Sequence, residues 1–356
     1  MHRYIGNKTK IVNEILYDVE KLIGESGTVV DLMCGTASVA KALKLKGYNV
    51  IASDLMTYSS FHAMVELLID EPPKFLGLNQ FLNFHQEDGY TRYMQVLDYL
   101  NNLKPKEGYF FKEFSPDGKP EHYPEPRKYF STENAKKVDA VIEVLNNWRD
   151  NDHITELENA LLRHDLILSV NPIANISGTY GHFHAKTVKR ALDALVIKDH
   201  IEYDLFSNAN TSNHVVYRGY AEELSKKITA DLCYIDPPYM KRQYAANYHI
   251  LETIARGDSP EAIGASGLRP WRDQYSNFCS KLKIRDSFRM IFNNMNCKTF
   301  LISYSEDGLL TLDELKELFN EFGTVSVRKF SHKRFRSNGS KLTQHLSEYL
   351  ITVKTY

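Results

Sequence analysis

An α/β fold with a largely parallel sheet is predicted by three features of the sequence. A strand, turn, helix, strand unit stands near the start, short apolar strands run into polar turns later on, and two alternating strands flank a glycine-containing tip near the end. Taking the elements in order, Ile11, Val12, Ile15, Leu16, Val19, Leu22 and Ile23 recur at helical spacing from Lys8 onward. Gly24 stands where that helix should stop. Thr28-Val29-Val30-Asp31 then reads as a strand, Gly35-Thr36 as a turn, residues 37–46 as a helix, and Tyr48 to Ala52 as a second strand ending at Asp54.

From Tyr90 to Val215 the pattern changes. Residues 106–128 are rich in Pro, Gly and Tyr, and residues 129–215 mix short helical and polar segments, so the stretch reads as an insertion. The sheet resumes with Leu232-Cys233-Tyr234-Ile235, which runs into Asp236, and with Thr299 to Ser303, followed by a helix around Leu312 to Phe319. Thr324 to Phe330 and His345 to Lys354 form the closing pair of strands, joined through Ser337-Asn338-Gly339-Ser340 as a β-hairpin. The expected division is residues 1–89, an insertion over 90–215, and residues 216–356.

Composition narrows the class. The chain has 356 residues and 43% hydrophobic content, enough for a sizeable core. Its 44 Lys and Arg nearly balance 45 Asp and Glu, so any surface for a polyanion must come from local clustering. Cys34, Cys233, Cys279 and Cys297 are far apart and make no C-x-x-C pair, which disfavours a zinc or dithiol centre and fits reduced thiols. No apolar run approaches the roughly twenty residues of a membrane span, and Met1-His2-Arg3-Tyr4 leads into patterned sequence rather than a signal peptide. A soluble cytoplasmic protein, without membrane or metal, is the expectation.

Two motifs carry chemistry. Asp236-Pro237-Pro238-Tyr239 follows a buried-looking strand, where open α/β sheets place ligand groups. An exocyclic amino nitrogen on a base is a poor nucleophile because its lone pair is delocalised into the ring. Acceptors aimed at both its N–H bonds would favour a pyramidal nitrogen and stabilise the charge that develops on attack. The Asp236 carboxylate and the Pro237 carbonyl can supply that pair, in a turn stiffened by Pro237 and Pro238, and Tyr239 offers an aromatic face to a base taken out of its stack. The same tetrapeptide could also be an ordinary strand-ending turn with a packed tyrosine. The second motif, Asp31-Leu32-Met33-Cys34-Gly35-Thr36, follows a strand and opens a helix, as a nucleoside-binding turn would. It lacks G-x-G-x-x-G, and Asp54 is placed for ribose hydroxyls.

Together these motifs resemble those of the adenine-N6 DNA methyltransferases in which the cofactor half precedes the catalytic half, the Dam-like and type II modification methylases, of the FokI type. Arg3-Tyr4-Ile5-Gly6-Asn7-Lys8 is similar to the family's opening motif, in which the aromatic and the lysine contact S-adenosylmethionine. Asp31 to Thr36 is similar to its glycine turn, although Met33, Cys34 and Ala37 stand where an aromatic and a second glycine are common. Asp54 matches the ribose carboxylate, Asp236 to Tyr239 the catalytic tetrapeptide, and Ser303-Tyr304-Ser305-Glu306-Asp307-Gly308 a later motif. Arg242-Gln243-Tyr244 with Asn247-Tyr248-His249 resembles the segment after the tetrapeptide. Asp88 matches loosely a residue that holds the cofactor adenine; a solvated loop carboxylate is the alternative.

The resemblance implies a Rossmann-like S-adenosylmethionine-dependent methyltransferase sheet with a C-terminal β-hairpin and an inserted target-recognition region. It implies transfer to N6 of adenine in double-stranded DNA by base flipping, as a site-specific adenine DNA methyltransferase. The setting it implies is a restriction-modification system whose endonuclease would act separately. For DNA contacts, the hairpin carries Arg328, Lys329, His332, Lys333, Arg334, Arg336 and Lys341, with Phe335 and Asn338 among them. The insertion carries Tyr180 within Ser177 to Lys186, a segment similar to one in FokI-type methylases, and Lys186, Lys189 and Arg190 as phosphate contacts. Arg242 joins this set. His182 and His184 lack further ligands at metal-binding spacing. The competing readings are an RNA or protein amide methyltransferase of the same fold, where Asn more often stands in place of Asp236, and a DNA-binding relative that has lost its cofactor.

Overall fold

The computed structural model describes residues 8–201, 213–333 and 345–356, with backbone alone for 331–333 and 345–346. These residues form two compact units. The sheet unit comprises residues 8–63, 213–244, 274–333 and 345–356.

It opens with helix α1 (Val12–Ile23), whose Ile15, Leu16 and Val19 are buried. The helix ends at Gly24, which takes φ +80° and donates its N–H to the Glu20 carbonyl. Strands β1 (Thr28–Asp31) and β2 (Asn49–Asp54) flank helix α2 (Ser38–Leu45), as the periodicity predicts. Helix α3 (Thr57–Leu68) follows, and the unit boundary falls within it. After the second unit come β3 (Val215–Arg218), helix α8 (Ala221–Leu224), β4 (Leu232–Ile235), helix α11 (Ile284–Asn294) and β5 (Thr299–Ser305). Helix α12 (Leu312–Asn320), started by a capping box between Thr311 and Glu314, leads to β6 (Gly323–Lys333) and β7 (His345–Thr355).

The seven strands run in the order β3-β2-β1-β4-β5-β7-β6. β1 to β5 pair in parallel, and β7 is antiparallel to both β5 and β6. This is the Rossmann-like α/β sheet with a C-terminal hairpin. The central strands β1, β4 and β5 are buried along nearly all their length because both faces are covered. Val30, Cys233, Ile235, Phe300 and Ile302 pack with Phe288, Ile291 and Phe292 of α11 and Phe319 of α12. Each such side chain contributes about 1.5–3 kcal/mol by leaving water. The short β3, only half-buried or exposed along its length, carries too little pattern to be read as a strand from sequence.

The second unit comprises residues 64–201 and 245–273. It therefore starts earlier than the expected insertion and recruits a later segment, including helix α10 (His249–Arg256), that the sequence pattern assigns to the catalytic half. The reason is packing: Arg163 donates to the Ile254 carbonyl at 2.6 Å, and Asn146 to the Gly257 carbonyl at 2.7 Å. Nor is this unit a mixture of short segments. It is built on helices α4 (Gly89–Asn101), α5 (Tyr109–Phe114), α6 (Thr132–Asp150) and α7 (Glu156–Ile173). α7 buries Arg163, His164 and Asp165 along with its apolar residues, so a helix covered on nearly all sides shows no amphipathic stripe. Helix α9 (Tyr244–Asn247) joins the two units in the chain.

Candidate active site

The strand order reverses between β1 and β4, the place where open α/β sheets bind ligands at the carboxyl ends of their strands. Asp31 ends β1 and pairs with Tyr234, two residues before Asp236. The two motifs that the sequence separates by about two hundred residues thus emerge from adjacent strands.

The turn after β1 is fixed by backbone bonds. Leu32 donates to the Tyr234 carbonyl at 3.1 Å and Cys34 to the Ser53 carbonyl at 2.9 Å. Gly35 takes φ +53° and donates to Asp54 Oδ2 at 2.9 Å, while Asp54 Oδ1 accepts the Met56 N–H at 2.8 Å. Asp54 is therefore oriented by the turn it serves. Asp31 Oδ2 accepts the Ala40 N–H at 3.1 Å, near the start of α2, but Oδ1 is buried with no hydrogen-bond partner among the described residues. Burial, then the nearby Asp236, holds the Asp31 carboxyl well above the usual carboxylate range. Met33 packs partly buried against the core, and Cys34 and Thr36 are buried. Burial pushes the Cys34 thiol up, which makes it a packed group rather than a nucleophile.

Asp236 leaves β4 with its side chain largely buried, and Lys8 Nζ forms an ion pair with its Oδ1 at 3.0 Å. The same ammonium donates to Glu348 Oε1 on β7 at 2.6 Å and sits 5.5 Å from the Tyr239 ring centroid. Burial is the largest influence on Asp236 and raises it to about 6; Lys8 opposes this and Glu348 adds to it. On Lys8, burial pulls the pKa down, but Asp236, Tyr239 and Glu348 outweigh it, so the amine stays charged well above its ordinary range. Tyr239 is pushed up to about 12 by burial, and its ring lies 5.8 Å from that of Tyr304, inclined at 58°. Pro237 is buried and Pro238 half-buried. The Tyr239 carbonyl accepts the Leu309 N–H at 3.0 Å, joining the tetrapeptide to the later motif.

A strap ties the two ligand turns together. Gln243 accepts the Ser276 N–H at 2.8 Å and donates to the Ser276 carbonyl at 3.0 Å, and Gln274 donates to the Leu55 carbonyl at 3.2 Å. Gln243 and Glu348 are the residues that sequence reasoning did not single out for the site. The signal for Glu348 was a carboxylate just ahead of the apolar run Tyr349-Leu350-Ile351 in a strand. For Gln243 the residue type gave none, since its clamp depends on a segment far along the chain.

Other expected site residues lie elsewhere. Asp88 is the N-cap of α4, and its Oδ1 accepts the Thr91 N–H at 2.8 Å, so the carboxylate serves as a helix cap. Tyr180, expected on DNA, is buried in that unit. Its hydroxyl donates to Asn171 Oδ1 and its carbonyl accepts from the Tyr129 hydroxyl, each at 2.8 Å, so it pins the fold. Arg190 donates to the Ala174 carbonyl at 3.0 Å and to that of Ile176, a structural use rather than a phosphate contact. Arg328 is engaged with Glu14 and Asp18 of α1, which removes it from the basic ribbon. Lys186 and Arg242 are exposed. The Lys333 backbone pairs with His345, while Tyr4, Arg334, Phe335, Arg336, Asn338 and Lys341 lie outside the described residues. Among the described residues no cluster of His, Cys, Asp or Glu could hold a metal, and no helix is long and apolar enough to cross a membrane.

Sheet order, a carboxylate-bearing turn at the switch point and a second carboxylate turn beside it define a nucleoside-handling α/β enzyme scaffold. The chain belongs to the D12 class of N6 adenine-specific DNA methyltransferases, whose sequence profile matches residues 4–329. It is 32% identical to Type II methyltransferase M.FokI of Planomicrobium okeanokoites over 99% of this chain and 52% of that one. It is 30% identical to modification methylase StsI of Streptococcus sanguinis over the same shares, 99% and 52%. With Type II methyltransferase M.NlaIII of Neisseria lactamica it shares 30% identity over 99% of each chain. The chain thus spans about half the length of the first two relatives and nearly all of the third.

Proposed function

We propose that this chain methylates the exocyclic N6 of adenine in double-stranded DNA, with S-adenosylmethionine as donor, as the modification enzyme of a restriction-modification system. A cognate endonuclease would act separately. The observation that carries the reading is the buried Asp236 of the Asp-Pro-Pro-Tyr turn, ion-paired to Lys8 at the switch point of a D12-class sheet.

The residues present fit the donor. Asp31 and Asp236 bring two buried carboxylates to this place beside a Lys8 ammonium that Glu348 shares, and Asp31 Oδ1 is buried without a partner among the described residues. A ligand bearing both a sulfonium and an ammonium answers that surplus of negative charge. Asp54 would hold the ribose, with Gly35 allowing close approach and Met33, Cys34 and Thr36 shaping the turn. When bound, the donor supplies an electrophilic methyl that needs no protonated leaving group.

The protein's own contribution is orientation and electrostatics. A flipped adenine rests against Tyr239, and its amino group donates one N–H to the Asp236 carboxylate and the other to the Pro237 carbonyl. Those acceptors stabilise the positive charge that grows on nitrogen. Lys8 keeps Asp236 ionised without itself being an acceptor.

The test is expression in a host lacking adenine methylation, followed by mapping of modified bases by single-molecule sequencing. N6-methyladenine in one repeated word is expected, and Asp236→Ala should lose transfer by at least about a hundredfold while still binding DNA. Undiminished methylation by that variant, or methylation of RNA or protein with DNA inert, overturns the reading.

A further inference from the structure

Glu348 stands outside the tetrapeptide but within reach of its chemistry. It lies on β7 between β5 and β6, where it pairs with Ser305 and Phe330, and its side chain is almost wholly buried. A buried ion costs several kcal/mol unless paired, so a carboxylate retained inside the sheet needs partners worth that cost. Lys8 is one, and its ammonium spans the gap to Asp236: 2.6 Å from Glu348 Oε1 and 3.0 Å from Asp236 Oδ1. Ser303 of β5 donates to the same Glu348 oxygen at 3.4 Å.

Glu348 and Lys8 differ in what holds them. Glu348 is carried by a strand paired on both sides, whereas Lys8 precedes α1 on a flexible four-carbon stem. An ammonium with only one partner could pivot about it; with two it is fixed. We propose that Glu348 is a positioning residue that seats the Lys8 ammonium against the Asp236 carboxylate, and so fixes the charge and aim of that acceptor. This rests on the reading of Asp236 as the acceptor for the amino group and adds a residue to it.

The groups that act on Asp236 and its neighbours are Lys8, Glu348 on β7, Tyr234 on β4, Tyr239 and Asp31 on β1, with Asp307 acting on Tyr239. Glu348 acts on Asp236 in two opposed ways, and this separates the roles. As a bare negative charge it raises the Asp236 pKa, so its removal should lower it. As the seat of Lys8 it indirectly lowers that pKa, so its removal should raise it.

The experiment follows the Asp236 carboxyl by carbon NMR in the full chain labelled at aspartate, with Asp236→Asn identifying the resonance. The wild-type midpoint is expected at about 6. Glu348→Ala should move it above the wild-type value and reduce methylation at neutral pH by about tenfold to a hundredfold. Glu348→Gln keeps an acceptor oxygen for Lys8, so its midpoint should stay at or below the wild-type value and its rate should recover most of that loss. A Glu348→Ala midpoint at or below wild type overturns the proposal. Should that variant not fold, Glu348→Asp decides in its place: the negative charge stays but the shorter side chain no longer reaches Lys8, so the midpoint must rise, and an unchanged value overturns the proposal equally. A wild-type protein that titrates as expected but methylates no DNA would remove the proposed function and leave the seat of Lys8 standing.

Discussion

Gly308→Ala isolates the coupling between the late motif and the tetrapeptide. A Cβ at this position would lie 2.1 Å from Tyr304 Cε1, 2.6 Å from Cζ and 2.8 Å from the hydroxyl. The obstruction is a ring with no room to yield, since Tyr304 is fully buried and its hydroxyl accepts the Leu310 N–H at 3.2 Å. Overpacking of this kind costs about 1–3 kcal/mol, and the lost hydrogen bond adds about 1 kcal/mol. Urea unfolding should therefore show a loss of about 2–4 kcal/mol. Because Tyr304 packs on Tyr239, the turnover number should fall as well. In a Tyr304→Leu background, whose side chain ends short of the contacted atoms, the added methyl should cost little, giving a large coupling in a double-mutant cycle. A Gly308→Ala protein with wild-type unfolding, or the same cost in both backgrounds, refutes the steric argument.

Three further outcomes are expected at the site. Asp236 must be ionised to accept, and burial raises it to about 6, so the methylation rate should climb with pH through about 6 and level off above it; a limb near the ordinary carboxylate range would contradict the burial argument. Gln243→Ala removes both bonds to Ser276 and should destabilise by about 1–3 kcal/mol and weaken S-adenosylmethionine binding in calorimetry; unchanged affinity would show the strap to be dispensable. Tyr239→Ala should weaken binding of DNA carrying 2-aminopurine at the target by about tenfold to a hundredfold, with Tyr239→Phe near wild type; equal affinity for all three would exclude a stacking role.

Most of the sheet unit is legible in the order of residues along the chain. Apolar four-residue strands bounded by Asp31 and Asp236, and a helix ended by Gly24, are local patterns whose geometry is set by hydrogen bonding and side-chain period. The two chemical turns were legible for the same reason: an Asp-Pro-Pro-Tyr turn after a strand states its acceptors and its stiffness in the residue types themselves. Relations between distant segments, by contrast, come from the packing of the folded chain. It brings Asp31 and Asp236 onto adjacent strands, Lys8 between Glu348 and Asp236, and Gln243 onto Ser276. It also turns Tyr180, Arg190, Arg328 and Asp88 from candidate ligand contacts into a buried pin, a carbonyl clamp, an ion pair and a helix cap. The physical reason is that a polar side chain has the same composition whether it faces solvent, ligand or its own backbone. Burial and partner choice separate those cases, and both are set by where the rest of the chain packs.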